Sequence, residues 1–176
     1  MVVAITNAPL KAAARFWWPL AFLALVPLSF ALGSFWSFAP LAILPTALVL
    51  FDAWLGEDAG VGEAGGRAWR LLPWTYIPLQ IAVLAWAAAT VANPATSPAV
   101  AVGLTLSCGL AAGVFGFLAA HEMIHSPRPG ERLLGLVMLA ALLDMRFSIS
   151  HLNGHHRNAA TRADPASARL GETLYA

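Results

Sequence analysis

Two long stretches of this chain carry no charge at all. Residues 16–51 contain no Asp, Glu, Lys or Arg, and neither do residues 71–120. One helix needs about 20 apolar residues to cross a bilayer, so each stretch is long enough for two passes. In the first, Leu32-Gly33-Ser34-Phe35 and Pro40 supply turn chemistry, which predicts a hairpin of residues 16–33 and 35–55. In the second, Asn93-Pro94-Ala95-Thr96-Ser97-Pro98 breaks the run into 71–90 and 99–120. Pro19, Pro27, Pro40, Pro45, Pro73 and Pro78 are costly in water-exposed helices, but a membrane bundle can compensate for them.

Composition agrees with lipid as the solvent: 59% of residues are hydrophobic and 11% charged, against about a quarter charged in soluble domains. A net charge of +1 gives no reason to expect nucleic acid or a strongly acidic partner. Cys108 stands alone, so it forms no internal disulfide and reads as a small packing residue. The predicted class is an all-α integral membrane protein: four transmembrane helices as two hairpins, in a single domain over 1–176. A cleaved secretory signal over 1–33 is the competing reading of the first stretch. Its apolar run is longer than a usual signal core, and no small-x-small cleavage site follows.

Two hairpins return the chain to the side it left. Lys11 and Arg15, the segment 52–70, and everything from His121 onward then share one face. Arg15, Arg67, Arg70, Arg128 and Arg132 lie there, while both opposite loops are uncharged. The positive-inside rule makes that face cytoplasmic in a multi-pass protein of the plasma (inner) membrane. Trp17, Trp18, Trp54, Trp69 and Trp74 fall near the predicted boundaries, as interfacial anchors do.

All five histidines sit in two short clusters on that face. His121-Glu122-Met123-Ile124-His125 follows the fourth apolar run, and a continuing helix places His121 and His125, four residues apart, on one side. His151-Leu152-Asn153-Gly154-His155-His156 repeats the i, i+4 spacing. If helical, it pairs His151 with His155 and turns His156 about 100° away. Ionisable groups beside a bilayer are expensive and usually functional. Five imidazoles exceed the three of a catalytic zinc site, and imidazole alone does not choose among iron, copper, nickel and zinc. For both clusters to serve one centre, the apolar 133–143 between them must lie in the interface or dip and return, bracketed by Glu131, Arg132, Asp144 and Arg146.

The two clusters resemble the first two histidine boxes of the membrane alkane 1-monooxygenases, within the integral-membrane fatty acid desaturase and hydroxylase superfamily. The run Ala160-Thr161-Arg162-Ala163-Asp164-Pro165-Ala166-Ser167-Ala168-Arg169-Leu170-Gly171-Glu172 is similar to the segment after the second box, and Phe51-Asp52-Ala53-Trp54-Leu55-Gly56-Glu57-Asp58 to that after the second helix. The resemblance implies a non-haem diiron centre of two iron ions, with His121, His125, His151, His155 and His156 as ligands. Glu122 is implied as a group behind them. It also implies insertion of one oxygen atom of O2 into the terminal C–H bond of an alkane, with electrons from rubredoxin and its reductase. The partners implied are an apolar alkane or acyl chain and the lipid bilayer.

Two departures stand out. Ser150 occupies a position where the family usually has glutamate. The family's third histidine box and a further histidine motif have no counterpart before Ala176, which reads as a C-terminally truncated, incomplete ligand set that is inactive alone. The rival readings are a desaturase or other lipid hydroxylase, an inactive fragment, and a zinc membrane protease built on His-Glu-x-x-His.

Overall fold

The structure is a computed structural model that describes residues 17–55 and 67–173. The described residues are helical and contain no strand. They fall into two compact units, Met1–Ala119 and Ala120–Ala176. Lys11, Arg15, the segment 56–66, and the side chains of Asp52, Trp54, Arg67 and Trp69, on which the charge and anchor arguments drew, lie outside the described residues.

In the first unit α1 spans Trp18–Ala31, beginning with Pro19 where a missing N–H is harmless. Gly33 ends it, at φ 77°, in the left-handed region where glycine meets no Cβ penalty. A 3-10 turn, Ser34–Phe38, leads into α2, Ala39–Leu55. Helix α3 is Arg67–Val91. Helix α4, Pro98–Ala111, is capped by Ser97, whose hydroxyl accepts from the Val100 N–H at 3.4 Å. A π turn, Ala112–Gly116, joins it to α5, Phe117–Ile124, so the helical stretch runs unbroken over Pro98–Ile124.

Arg70–Val91 (22 residues) and Pro98–Ile124 (27 residues) are long and apolar enough to cross a membrane. Helix α1 has 14 residues, about 20 Å of helix against about 30 Å of hydrocarbon, and the apolar Ser34–Leu50 is also shorter than a full span. The boundaries expected from sequence are thus met by four apolar helices of unequal length, of which two qualify as spans. Large apolar side chains face outward, among them Leu28, Phe35, Val49 and Leu106. Such a surface is stable against lipid rather than water.

The first unit's core is Phe22, Leu23, Val26, Leu44, Tyr76, Leu104 and Phe115. Phe115 is its aromatic centre, with Trp18 at 4.8 Å, edge to face, and Phe22 at 5.5 Å. Polar groups inside are mostly paired. The buried Tyr76 hydroxyl donates to Gln80 Oε1 at 2.7 Å and lies 3.2 Å from Ala111 O, a carbonyl at the π turn.

The Ser107 hydroxyl donates to Ser37 O at 2.7 Å, and both residues are fully buried. Gly103 makes this approach possible, since a Cβ there would lie 2.8 Å from Phe38 Cδ2. Ser107→Ala leaves the Ser37 carbonyl without its donor. The expected cost is about 1–3 kcal/mol, read as a lower unfolding midpoint in detergent micelles.

Candidate metal centre

The second unit brings the two histidine segments together. Helix α5 carries His121 and ends at Ile124, one residue before His125, so the helix runs four residues past the boundary expected at Ala120. A tight turn follows. The Ser126 hydroxyl bonds Glu131 Oε2 and accepts the Arg128 N–H at 3.1 Å, and Arg128 pairs with Glu131 Oε1 at 3.0 Å. With Pro129 at the helix start, this launches α6, Pro129–Ala141.

Helix α6 lies tightly against the end of α5. A Cβ on Gly135 would be 2.9 Å from both Ala120 O and Met123 Cβ. Helix α6 ends in a Schellman motif, with Leu143 left-handed at φ 60°, Leu143 N–H to Ala140 O at 3.0 Å and Asp144 N–H to Leu139 O at 2.9 Å. The turn reverses the chain into a short helix, α7, Arg146–Ile149, and then the second histidine segment. At 13 residues, about 20 Å, the apolar α6 is too short for a crossing.

The second segment gathers its three histidines. Ser150–His155 is a π helix, followed by the single turn α8, His156–Asn158. Its i→i+5 bonding widens the turn, and His151 meets both later histidines. Its ring stacks on that of His155 at 5.4 Å, as the i, i+4 spacing predicts, and its Nε2 lies 3.0 Å from that of His156.

Nitrogens from both segments converge on His151. Its Nε2 lies 2.6 Å from that of His121 and 3.1 Å from that of His125, and the last two are 3.2 Å apart. The donor atoms of His121, His125 and His151 all fall within 4.8 Å of one another. A single nitrogen offers either one N–H or one lone pair, so no assignment of protons satisfies three imidazole neighbours at once. One cation does. Two imidazoles about 2.1 Å from an ion and at right angles have nitrogens about 3.0 Å apart, or about 3.4 Å in a tetrahedron. Three of the observed separations, 3.0–3.2 Å, lie close to the first value and one, 2.6 Å, is shorter, and the residues fit a metal.

Phe147 orders the cluster from one side, stacked on His151 at 4.7 Å and edge-on to His121 at 5.9 Å. Burial, then the charges of His121, His156, His125 and His155, push His151 down to about 4. Burial, then His121 and His156, lower His125, while the charge of Glu122 works the other way. Neutral imidazoles are the form that binds metal.

Because the folded-state value of His151 is depressed from 6.5 to about 4, the unfolded chain binds more protons in that interval. The contribution of His151 to stability is then complete above pH 6.5 and is lost as pH falls toward 4. Thermal midpoints of the metal-free protein are expected to drop across that window and to be restored in the His151→Gln background.

His155 points elsewhere. Its Nδ1 lies 2.9 Å and 3.0 Å from the two oxygens of Asp164, and its ring stacks on that of His151 at 5.4 Å. The Ser167 hydroxyl and the Ala166 N–H, at 2.6 Å and 2.9 Å, also donate to the buried Asp164 carboxylate. Chiefly through the Ser167 bond, its pKa is held well below the usual carboxylate range.

Glu122 is exposed on α5. The Ser150 hydroxyl donates back to Phe147 O at 3.2 Å and gives the histidines nothing. Asp164 is the residue that sequence reasoning passed over as a site member. Its one sequence sign is its place in the Asp164-Pro165-Ala166-Ser167 turn after the second box.

No protein-family model matches the chain. Individual proteins do. It is 36% identical over 106 residues, 60% of its length, to alkane 1-monooxygenase 1 of Pseudomonas aeruginosa. It is 30% identical over 135 residues, 72% of its length, to alkane 1-monooxygenase 2 of the same organism. Alkane 1-monooxygenase 1 of Alcanivorax borkumensis is 30% identical over 133 residues. These matches span 28%, 36% and 33% of the respective relatives, about a third of their length. With its apolar helices, histidine cluster and these matches, the chain is a membrane protein and a partial relative of the alkane 1-monooxygenases.

Proposed function

We propose that this chain forms part of a non-haem diiron monooxygenase that hydroxylates the terminal carbon of alkanes with O2. The observation that carries the reading is the convergence of His121, His125 and His151 nitrogens from two segments, in a chain 30–36% identical to enzymes named alkane 1-monooxygenase. His121, His125, His151, His155 and His156 are the proposed iron ligands, and Glu122 a group that acts on them from behind.

Bound iron supplies the O2 activation that an unactivated C–H bond requires. The protein supplies the setting. The Nε2 atoms of His121, His125 and His151 face one point, Phe147 packs on the rings of His121 and His151, and Asp164 orients that of His155.

In the proposed topology the four apolar helices form two hairpins of one membrane domain with the histidines at the cytoplasmic face. Helix α6 lies in the interface, its exposed Leu133 and Val137 toward lipid. Lipid-side delivery suits an alkane or acyl chain, and reduction by rubredoxin and its reductase suits a cytoplasmic site. The balance is one oxygen atom into the C–H bond and one into water, with two electrons delivered through rubredoxin and two protons from solvent.

The test is turnover by the monooxygenase that contains this chain, under 18O2 with an n-alkane, NADH, rubredoxin reductase and rubredoxin. The reading expects a primary alcohol carrying one 18O atom. An alkene or a desaturated acyl chain as the product overturns it, as does an alcohol that takes its oxygen from water.

A further inference from the structure

We propose that Asp164 is the positioning residue of the second histidine segment: it holds the Nδ1–H of His155 and leaves that ring's Nε2 lone pair free for a metal ion. The metal half of this proposal rests on the reading above; the pairing itself rests on geometry alone.

Both carboxylate oxygens are occupied by donors of Asp164's own turn. The Ala166 N–H reaches Oδ1 at 2.9 Å and the Ser167 hydroxyl reaches Oδ2 at 2.6 Å. The carboxylate plane is fixed before His155 is considered. His155 Nδ1 then sits nearly equidistant from the two oxygens, at 2.9 Å and 3.0 Å. A carboxylate offers only acceptors, so Nδ1 must carry the proton, and the other nitrogen is the one left for a metal. The Asp164 side chain has no exposed surface, whereas His155 keeps 34%, so water does not compete at the acid.

The chain after the second box is arranged to return this carboxylate. The Asn158 amide donates to Gly154 O at 2.8 Å, and the Thr161 hydroxyl and N–H both donate to Asn158 O, at 2.7 Å and 2.9 Å. The Asp164 N–H closes the last turn on Thr161 O at 3.2 Å. Pro165 then packs on the box itself. A Cβ at Gly154 would lie 3.1 Å from Pro165 Cγ, so glycine between Asn153 and His155 admits the returning turn. Orienting His155 also orients a neighbour, because its ring stacks on His151 with 24° between planes. Ser150 bonds its own helix; among the described residues, Asp164 is the carboxylate bonded to a histidine of this segment.

The experiment pairs 15N NMR of histidine-labelled, metal-free protein in bilayers with ferrous-iron titration. The His155 resonances are assigned by their loss in His155→Gln. The expected result is an Nδ1–H tautomer in the native protein. In Asp164→Asn the amide presents an N–H to Nδ1, the ring switches to Nε2–H, and iron affinity falls about 10–100-fold with the far-UV circular dichroism unchanged. Ser167→Ala keeps the carboxylate, so the native tautomer and near-native affinity are expected.

An Nε2–H tautomer in the native protein overturns the proposal, whether or not any variant folds. So does Asp164→Asn with native iron affinity. If the native protein shows the Nδ1–H tautomer but takes up no iron, the metal reading fails and the Asp164–His155 pairing stands.

Discussion

Replacing His151 with alanine is expected to lower metal affinity by more than about 100-fold, beyond the loss typical of an outer partner, and to abolish any metal-dependent turnover. The reason is its place in the cluster. The Nε2 of His151 is the one atom within 3.1 Å of the corresponding atoms of three other histidines. Removing it takes away the ligand that joins the α5 segment to the π segment, and leaves His121 and His125 as a pair on one helix end. It also removes the ring stacked between Phe147 and His155, so the neighbours lose their orientation as well as a donor. His151 is only half-buried, so secondary structure should survive. Equilibrium dialysis with ferrous iron, alongside circular dichroism, separates loss of the site from loss of fold. Native affinity in this variant would mean that the nitrogens converge without binding one ion.

Gly135→Leu is expected to have the second largest effect, by a different route. A Cβ at this position would stand 2.9 Å from Ala120 O and from Met123 Cβ, and 3.1 Å from Ile124 Cγ2. One obstacle is backbone and cannot turn aside, so α5 and α6 must separate. Overpacking of this kind costs about 1–3 kcal/mol. The contact lies beside His121 and His125, so their placement is expected to change with it. The variant should unfold at lower denaturant concentration and bind metal more weakly than Leu133→Ala, a change on the exposed side of the same helix. Equal stability of the two variants would contradict the close packing at Gly135.

These effects also mark what could be read from residues alone. Charge-free runs locate apolar helices because a membrane tolerates nothing else there, and Gly33 and Pro98 break them where the backbone demands. The spacing of His121 and His125 is readable because both belong to the end of an α-helical stretch. The same arithmetic brings His155 against His151 but not the Nε2 of His156, which reaches that of His151 where the backbone is π-helical. An extra residue in a turn leaves no periodic mark. Asp164 is harder still, for it stands nine residues from His155 and reaches it only through successive turns closed on Asn158 O and Thr161 O. Helix lengths are in between: a run shows where a helix can lie, but not that α1 stops after 14 residues.

The central claim is that histidines of the two segments hold iron together. Elemental analysis with iron K-edge X-ray absorption on the purified protein tests it most directly. The account predicts bound iron with a nitrogen shell at about 2.1 Å, outer scattering from imidazole rings and no sulfur, all lost in His151→Ala. Zinc as the one retained metal, or an iron signal unchanged in His151→Ala, would contradict it.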